Sequence, residues 1–249
     1  SFMLNGSFVH SNFMGSGERV ALEMLFGKYS SSYALSHTDP YTNVDGVSRT
    51  VGVQYRDITQ FVSAASDFST VTKSASLEFG YPISEFQGLR FGLVVQKSDL
   101  IVNPGNSAPE AVNWVRNNGN PYTRLIENEF PDGGDPDTDP DIIVTPLFGT
   151  KFDTYELVTG WFFDSRNRAI FADRGMRHSV SLAVTAPGSE VDYYVFNYDY
   201  LQLVPIWRQW TVAMSAELAF GDALGNNTTA LPPYRQFFAG GPSSVRGYT

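Results

Sequence analysis

The sequence predicts an all-β fold: a transmembrane, antiparallel, up-and-down β-barrel. Three observations carry that expectation. Apolar and polar side chains alternate repeatedly, with the period of two that belongs to strands. The alternating stretches mostly run ~9–13 residues, longer than the ~5–6 of an ordinary strand and long enough for a tilted strand to cross a bilayer. The links between them tend to alternate short and long, as where turns close one rim of a membrane barrel and loops crown the other.

Taken in order, a weak first strand lies within Ser1 to Asn12. After the turn Phe13-Met14-Gly15-Ser16-Gly17, residues Val20, Leu22, Met24 and Phe26 oppose Ala21, Glu23 and Gly27, with Leu25 out of pattern. A second weak strand occupies Ser32 to Tyr41 and ends at the turn Thr42-Asn43-Val44-Asp45-Gly46. Val51, Val53 and Tyr55 then oppose Thr50, Gly52, Gln54 and Arg56. The cleanest case sets Ala75, Leu77, Phe79, Tyr81 and Ile83 against Ser74, Ser76, Glu78 and Gly80. The turn Ser84 to Gly88 leads into Leu89, Phe91, Leu93 and Val95. Later strands carry Tyr155, Leu157, Trp161 and Phe163, then Val180, Leu182 and Val184, then Tyr194, Phe196, Tyr198 and Tyr200. The short link Trp207-Arg208-Gln209 precedes the last, with Val212, Met214, Leu218 and Phe220. These make about ten strands.

The longer links are Gln60 to Val71, Val102 to Thr150, and Gly225 onward. The alternation of link lengths is imperfect: Lys28 to Ser31 and Gly188 to Val191 are short on the long side, and Arg166 to Met176 is moderately long on the short side. Alternation alone does not say which face meets water, so a soluble sandwich or lipocalin-like barrel shares the pattern. Tyr81, Tyr155, Trp161, Trp207 and Trp210 near strand ends suit interfacial girdles.

Composition excludes several classes. The formal net charge of −9 argues against nucleic acid or an anionic lipid surface as a partner, because phosphate attracts clustered Lys and Arg. Charged residues are only 17% of the chain and aromatics 14%. Zero cysteine removes disulfides, thiolate metal sites and cysteine nucleophiles. No stretch reaches the ~18 apolar residues of a helical span, and Ser1 to Gly6 lacks the features of a signal peptide.

Within Val102 to Thr150 no strand pattern is visible, and a link that long is functional or disordered. Pro109 to Gly119 reads as a short surface helix on an external loop, with Pro109 in its first turn and Gly119 past its end. Asp135, Asp137 and Asp139 have the one-three-five spacing of a calcium loop. Pro140 and Pro146 stand where that loop needs Gly and Glu, so the expectation is a solvated acidic loop, with weak Ca²⁺ or Mg²⁺ binding as the alternative. No metal site or cofactor is otherwise expected.

Near the end runs Phe237-Phe238-Ala239-Gly240-Gly241-Pro242-Ser243-Ser244-Val245-Arg246-Gly247-Tyr248. Gly240 and Gly241 permit a tight turn, and Arg246 is the one charge from Gln236 onward. An isolated loop arginine is ordinarily a solvated charge, but this motif is more specific. It resembles the sixth extracellular loop tip of the outer-membrane assembly and two-partner secretion superfamily, the bacterial surface antigen family. Thr38 to Ser48, Phe79 to Phe86, Phe171 to Gly175, Pro187 to Ser189 and Leu203 to Ile206 resemble segments of the same family in the same order. The resemblance covers essentially the whole chain.

That resemblance implies a barrel of sixteen strands, of which this chain holds about ten, strands two to eleven, without the periplasmic POTRA repeats. It implies that the loop folds back into the lumen, where Val245, Arg246, Gly247 and Tyr248 pin it, Arg246 meeting acidic groups of strands outside this segment. It implies a Gram-negative outer-membrane location and a role in folding and inserting β-barrel proteins by strand templating at a lateral seam. The implied partners are the lipid bilayer and lipopolysaccharide, unfolded outer-membrane protein clients and accessory lipoproteins. A translocation-related or two-partner secretion barrel of the same superfamily is the alternative. An outer-membrane enzyme on a ten-stranded barrel is remote. His10, His37 and His178 fall in separate strands with no adjacent nucleophile motif, and no catalytic residue is expected.

Overall fold

A computed structural model describes residues 3–27, 30–59, 68–105, 107–129, 142–168, 171–207 and 210–235. All ten expected strands are present: β1 (Met3–His10), β2 (Arg19–Gly27), β3 (Ser30–Asp39), β4 (Ser48–Thr59), β5 (Phe68–Ser84), β6 (Gln87–Val102), β8 (Ile142–Asp164), β9 (Gly175–Thr185), β10 (Tyr193–Trp207) and β11 (Trp210–Ala223). An eleventh, β7 (Asn120–Glu129), lies where no strand was expected. Among the described residues, a helix α1 (Pro109–Asn117) and short 3₁₀ turns at Phe13–Gly15 and Pro233–Arg235 complete the elements.

Everything is antiparallel. The sheet runs β1-β2-β3-β4-β5-β6-β8-β9-β10-β11, an up-and-down order in which each strand beside its chain neighbour needs only a turn or loop. β7 is the exception and pairs β8 alone, Asn120 opposite Lys151 through Glu129 opposite Ile142. On its other edge β8 meets β6 from Phe148 to Phe163. β7 therefore continues the edge that β9 occupies lower down, where Glu156 faces Thr185. This corrects the reading of Val102 to Thr150 as strand-free. β8 is 23 residues long because its first turn of residues projects past the sheet to form this hairpin.

The registers sort side chains into rows across the sheet. One row is Leu22, Leu35, Val53, Ala75, Val95 and Tyr155. The adjacent row on the opposite face is Ala21, Ser36, Gly52, Ser76, Val94 and Glu156. The apolar face is left bare: Phe91 is 50% exposed, Leu157 55% and Leu218 59%. So large a continuous apolar surface marks contact with a membrane or a partner. On β5 it runs from Ala75 to Ile83, about 26 Å along the strand at ~3.3 Å per residue. Among the described residues no helix is long and apolar enough to cross a membrane. The strands do the crossing, and the polar face is the lumen wall.

The short rim keeps its geometry through local hydrogen bonds. In the turn after β3, Asn43 Oδ1 accepts from the amides of Asp45 and Val47, each at 3.1 Å, and Asp39 Oδ1 accepts from the Tyr41 amide at 3.0 Å. Gly46 has φ +77°, which an L side chain resists.

Candidate functional site: the plugged mouth of the barrel

At the long-loop end the lumen wall changes character. Leu100 and Val102 of β6, Phe152 of β8 and Tyr193 and Val195 of β10 lie on the polar face, yet all are buried. They are covered by two loop segments, α1 and residues 228–235, which supply Trp114, Val115 and Leu231 to one apolar cluster. Trp114 meets Phe152 edge-on at 5.6 Å between ring centroids, and Phe152 stacks on Tyr234 at 6.2 Å.

The helix forms as expected but is not a surface helix. Pro109 starts it without losing a needed hydrogen bond. Glu110 in its first turn and Arg116 in its last complement the helix dipole. Its apolar side then turns inward, leaving Trp114 and Val115 with at most 3% exposure. Asn118 closes the C-terminus, its Nδ2 donating to the Trp114 carbonyl at 2.8 Å. Gly119 follows at φ +67°, pressed so closely to β8 that a Cβ there would sit 2.7 Å from Thr150 Oγ1.

Residues 228–235 are stitched to this helix and to the wall. Asn118 and Thr229 exchange two hydrogen bonds: Asn118 Nδ2 donates to Thr229 Oγ1 at 2.7 Å, and the Thr229 amide donates to Asn118 Oδ1 at 2.8 Å. The Trp114 indole donates to the Ala230 carbonyl at 2.7 Å. The Asp192 amide donates to Thr228 Oγ1 at 2.7 Å.

The segment ends on an ion pair. Arg235 Nη2 donates to Glu156 Oε1 at 2.6 Å and to Oε2 at 2.9 Å. Tyr193 OH donates to Oε1 as well. Glu156 is 2% exposed, between Val94 of β6 and Thr185 of β9 in the register. A buried carboxylate is stable only when charge and hydrogen bonds answer it. The guanidinium also lies 5.8 Å from the Tyr193 ring and 5.9 Å from that of Tyr234. Burial pushes the Tyr234 phenol above its ordinary pKa, while the neighbouring Arg235 pulls it the other way. The arrangement fastens a loop to the inside of the wall.

None of these residues was singled out in the sequence. Arg235 carried one signal, as the first charge after Asp222. Glu156 carried another, as a carboxylate between Thr154 and Gly160 on the polar face of its strand. The expected lumen motif Val245, Arg246, Gly247 and Tyr248, its turn at Gly240 and Gly241, and the acidic triplet Asp135, Asp137 and Asp139 lie outside the described residues. The histidines have separate partners: His37 Nε2 lies 3.1 Å from Glu18, and His178 Nδ1 lies 3.0 Å from Tyr198 OH.

Comparison with known proteins agrees with this architecture. The profile described as the Omp85 superfamily domain matches residues 12–249. The outer membrane protein assembly factor BamA of Neisseria meningitidis serogroup B is 26% identical over 248 residues, which are 99% of this chain and 28% of that protein. The chain thus spans less than a third of that relative's length. The crystal structure of BamA from Haemophilus ducreyi lacking POTRA domains 1–3 superposes with a TM-score of 0.79 at 23% identity, over 99% of this chain and 43% of that one. At that identity the likeness is one of fold.

Proposed function

The chain belongs to the Omp85 superfamily, and from that premise we propose that it is the major part of a barrel that folds and inserts β-barrel proteins into the outer membrane. As a member of that superfamily with this fold, it is an outer-membrane protein of Gram-negative bacteria. The observation that carries the functional reading is the end-to-end match to an assembly factor, 99% of the chain. The plugged mouth supports it, because a fastened loop gives a rigid wall on which a seam elsewhere can open.

In this reading the protein makes no covalent bond. Client strands pair at a lateral seam between strands outside this segment, and backbone hydrogen bonds with apolar burial supply the driving force. Val245, Arg246, Gly247 and Tyr248 pin the distal part of the loop in the lumen, Gly240 and Gly241 allow its turn, and Arg235 fastens the proximal part. Accessory lipoproteins, unfolded clients and lipopolysaccharide are the partners.

The test is reconstitution of the full-length protein in vesicles with an unfolded β-barrel client. The client should reach its heat-modifiable folded form faster than in protein-free vesicles, and Arg246→Ala should reduce that gain. Export of a soluble polypeptide without client insertion would favour the secretion branch instead.

A further inference from the structure

The lipid-facing side carries a feature that barrel assembly does not explain. The apolar row Leu22, Leu35, Val53, Ala75 and Val95 lines a groove of about 530 Å³. The next row toward the long loops reads Tyr33, Tyr55, Lys73, Lys97 and Asp153. Directly beyond it, and sharing Lys73 and Lys97, lies a second cavity of about 430 Å³, lined also by Asp99, Asn120 and Lys151. An apolar slot thus opens into a polar one across a tyrosine–lysine boundary. Tyrosines and lysines at that level mark a membrane interface.

The charges on this boundary are unbalanced in one place. Lys73 and Lys97 stand directly opposite each other in the β5–β6 register, where like charges repel. Lys97 is answered by Asp153 at 2.9 Å. Asp99 accepts from Tyr122 OH at 2.7 Å and has Lys151 at 3.9 Å. Glu190 accepts from Asn120 Nδ2 and from the Asp153 amide, both at 2.8 Å. Lys73 has no carboxylate within ion-pair distance among the described residues, and its Nζ lies 6.0 Å from the Tyr55 ring.

We propose that this pair of cavities binds a phosphorylated glycolipid of the outer leaflet, the class to which lipopolysaccharide belongs. An acyl chain occupies the apolar groove. A phosphate sits at Lys73 and relieves its repulsion with Lys97. The sugar hydroxyls face the Asp99, Asn120 and Lys151 rim, which offers both donors and acceptors. The inference deepens the lipopolysaccharide partnership above and rests on the reading of this face as membrane-exposed.

The experiment uses the full-length protein in detergent and native mass spectrometry with three lipids: bisphosphorylated lipid A, its dephosphorylated form and phosphatidylglycerol. Wild type should retain bisphosphorylated lipid A over the other two. Lys73→Gln should lower that retention about tenfold, the effect of one charge-assisted contact, and Lys73→Arg should restore it. Heat-modifiable mobility confirms that each variant is folded. Equal retention by wild type and Lys73→Gln, or equal retention of all three lipids by wild type, overturns the proposal. Client insertion by the same variants is measured in parallel. Insertion intact with lipid selectivity absent defeats this inference alone, whereas no insertion by wild type defeats the assembly reading.

Discussion

The two halves of the lumen wall belong to the same strands and obey the same alternation, yet they meet different surroundings. Toward the short turns the wall shows Arg90, Gly160, Ser181 and Asn197 in register, polar or small and uncovered by any described loop. Toward the long loops the same face carries Leu100, Val102, Phe152 and Tyr193, sealed beneath α1 and residues 228–235. Alternation therefore tells the faces of a strand apart, but it does not say whether an inward face is wet. Loops decide that, and they can bury a charge pair where the strand pattern alone implies water.

That contrast yields graded predictions. The largest effect belongs to the ion pair. Arg235→Ala leaves Glu156 buried and uncompensated, at about 3–5 kcal/mol for a fully buried pair. The lower end applies here, because the guanidinium side chain keeps 33% of its surface. Urea midpoints of the full-length barrel in detergent should fall accordingly, and adding Glu156→Gln should recover part of the loss. If Arg235→Ala leaves the midpoint unchanged, the dry half is not a clamp.

Next comes the outward face. Leu157→Arg on the bare side of β8 should cost about 2–4 kcal/mol in a bilayer, where the midplane penalises charge. Ser181→Arg, on the uncovered inward wall, should cost far less. Folding titrations in vesicles would compare them, and equal penalties would mean that the faces are not distinguished by lipid. Smallest is Asn118→Ala, which removes the paired hydrogen bonds to Thr229 and should cost about 1–2 kcal/mol. Hydrogen exchange should show residues 228–229 loosening with the strands unaffected. Loosening of β6 or β8 instead would mean that the plug is integral to the wall.

The strands were legible because bilayer and lumen impose opposite demands on successive residues. β7 was not, and the reason is physical. Asn120–Glu129 lies beyond the sheet that faces lipid, so no apolar face is required of it, and Pro121 near its start disguises it further. The continuation of β8 over residues 142–150 hides in an unalternating run for the same cause. The helix was readable from Pro109 and Gly119, but its burial was not, since the groove that receives Trp114 is built by β6, β8 and the 228–235 segment together. The Arg235–Glu156 clamp joins residues 79 apart, with the three strands β9, β10 and β11 between them in the chain. No local pattern encodes such a pair. Only the isolation of each charge in its surroundings hinted at it.

The most direct test exploits the absence of cysteine from these 249 residues, with any cysteine elsewhere in the full-length protein replaced by serine. Single cysteines are placed at adjacent residues of β11, Leu218→Cys and Ala219→Cys, in the full-length protein folded into vesicles, and each carries an environment-sensitive fluorophore. Lipids bearing nitroxide on the acyl chain should quench the label at 218 and spare that at 219, while a water-soluble quencher should do the reverse. A label at 218 shielded from both quenchers, with 219 quenched from water alone, would mean that the apolar rows face a core and not a membrane.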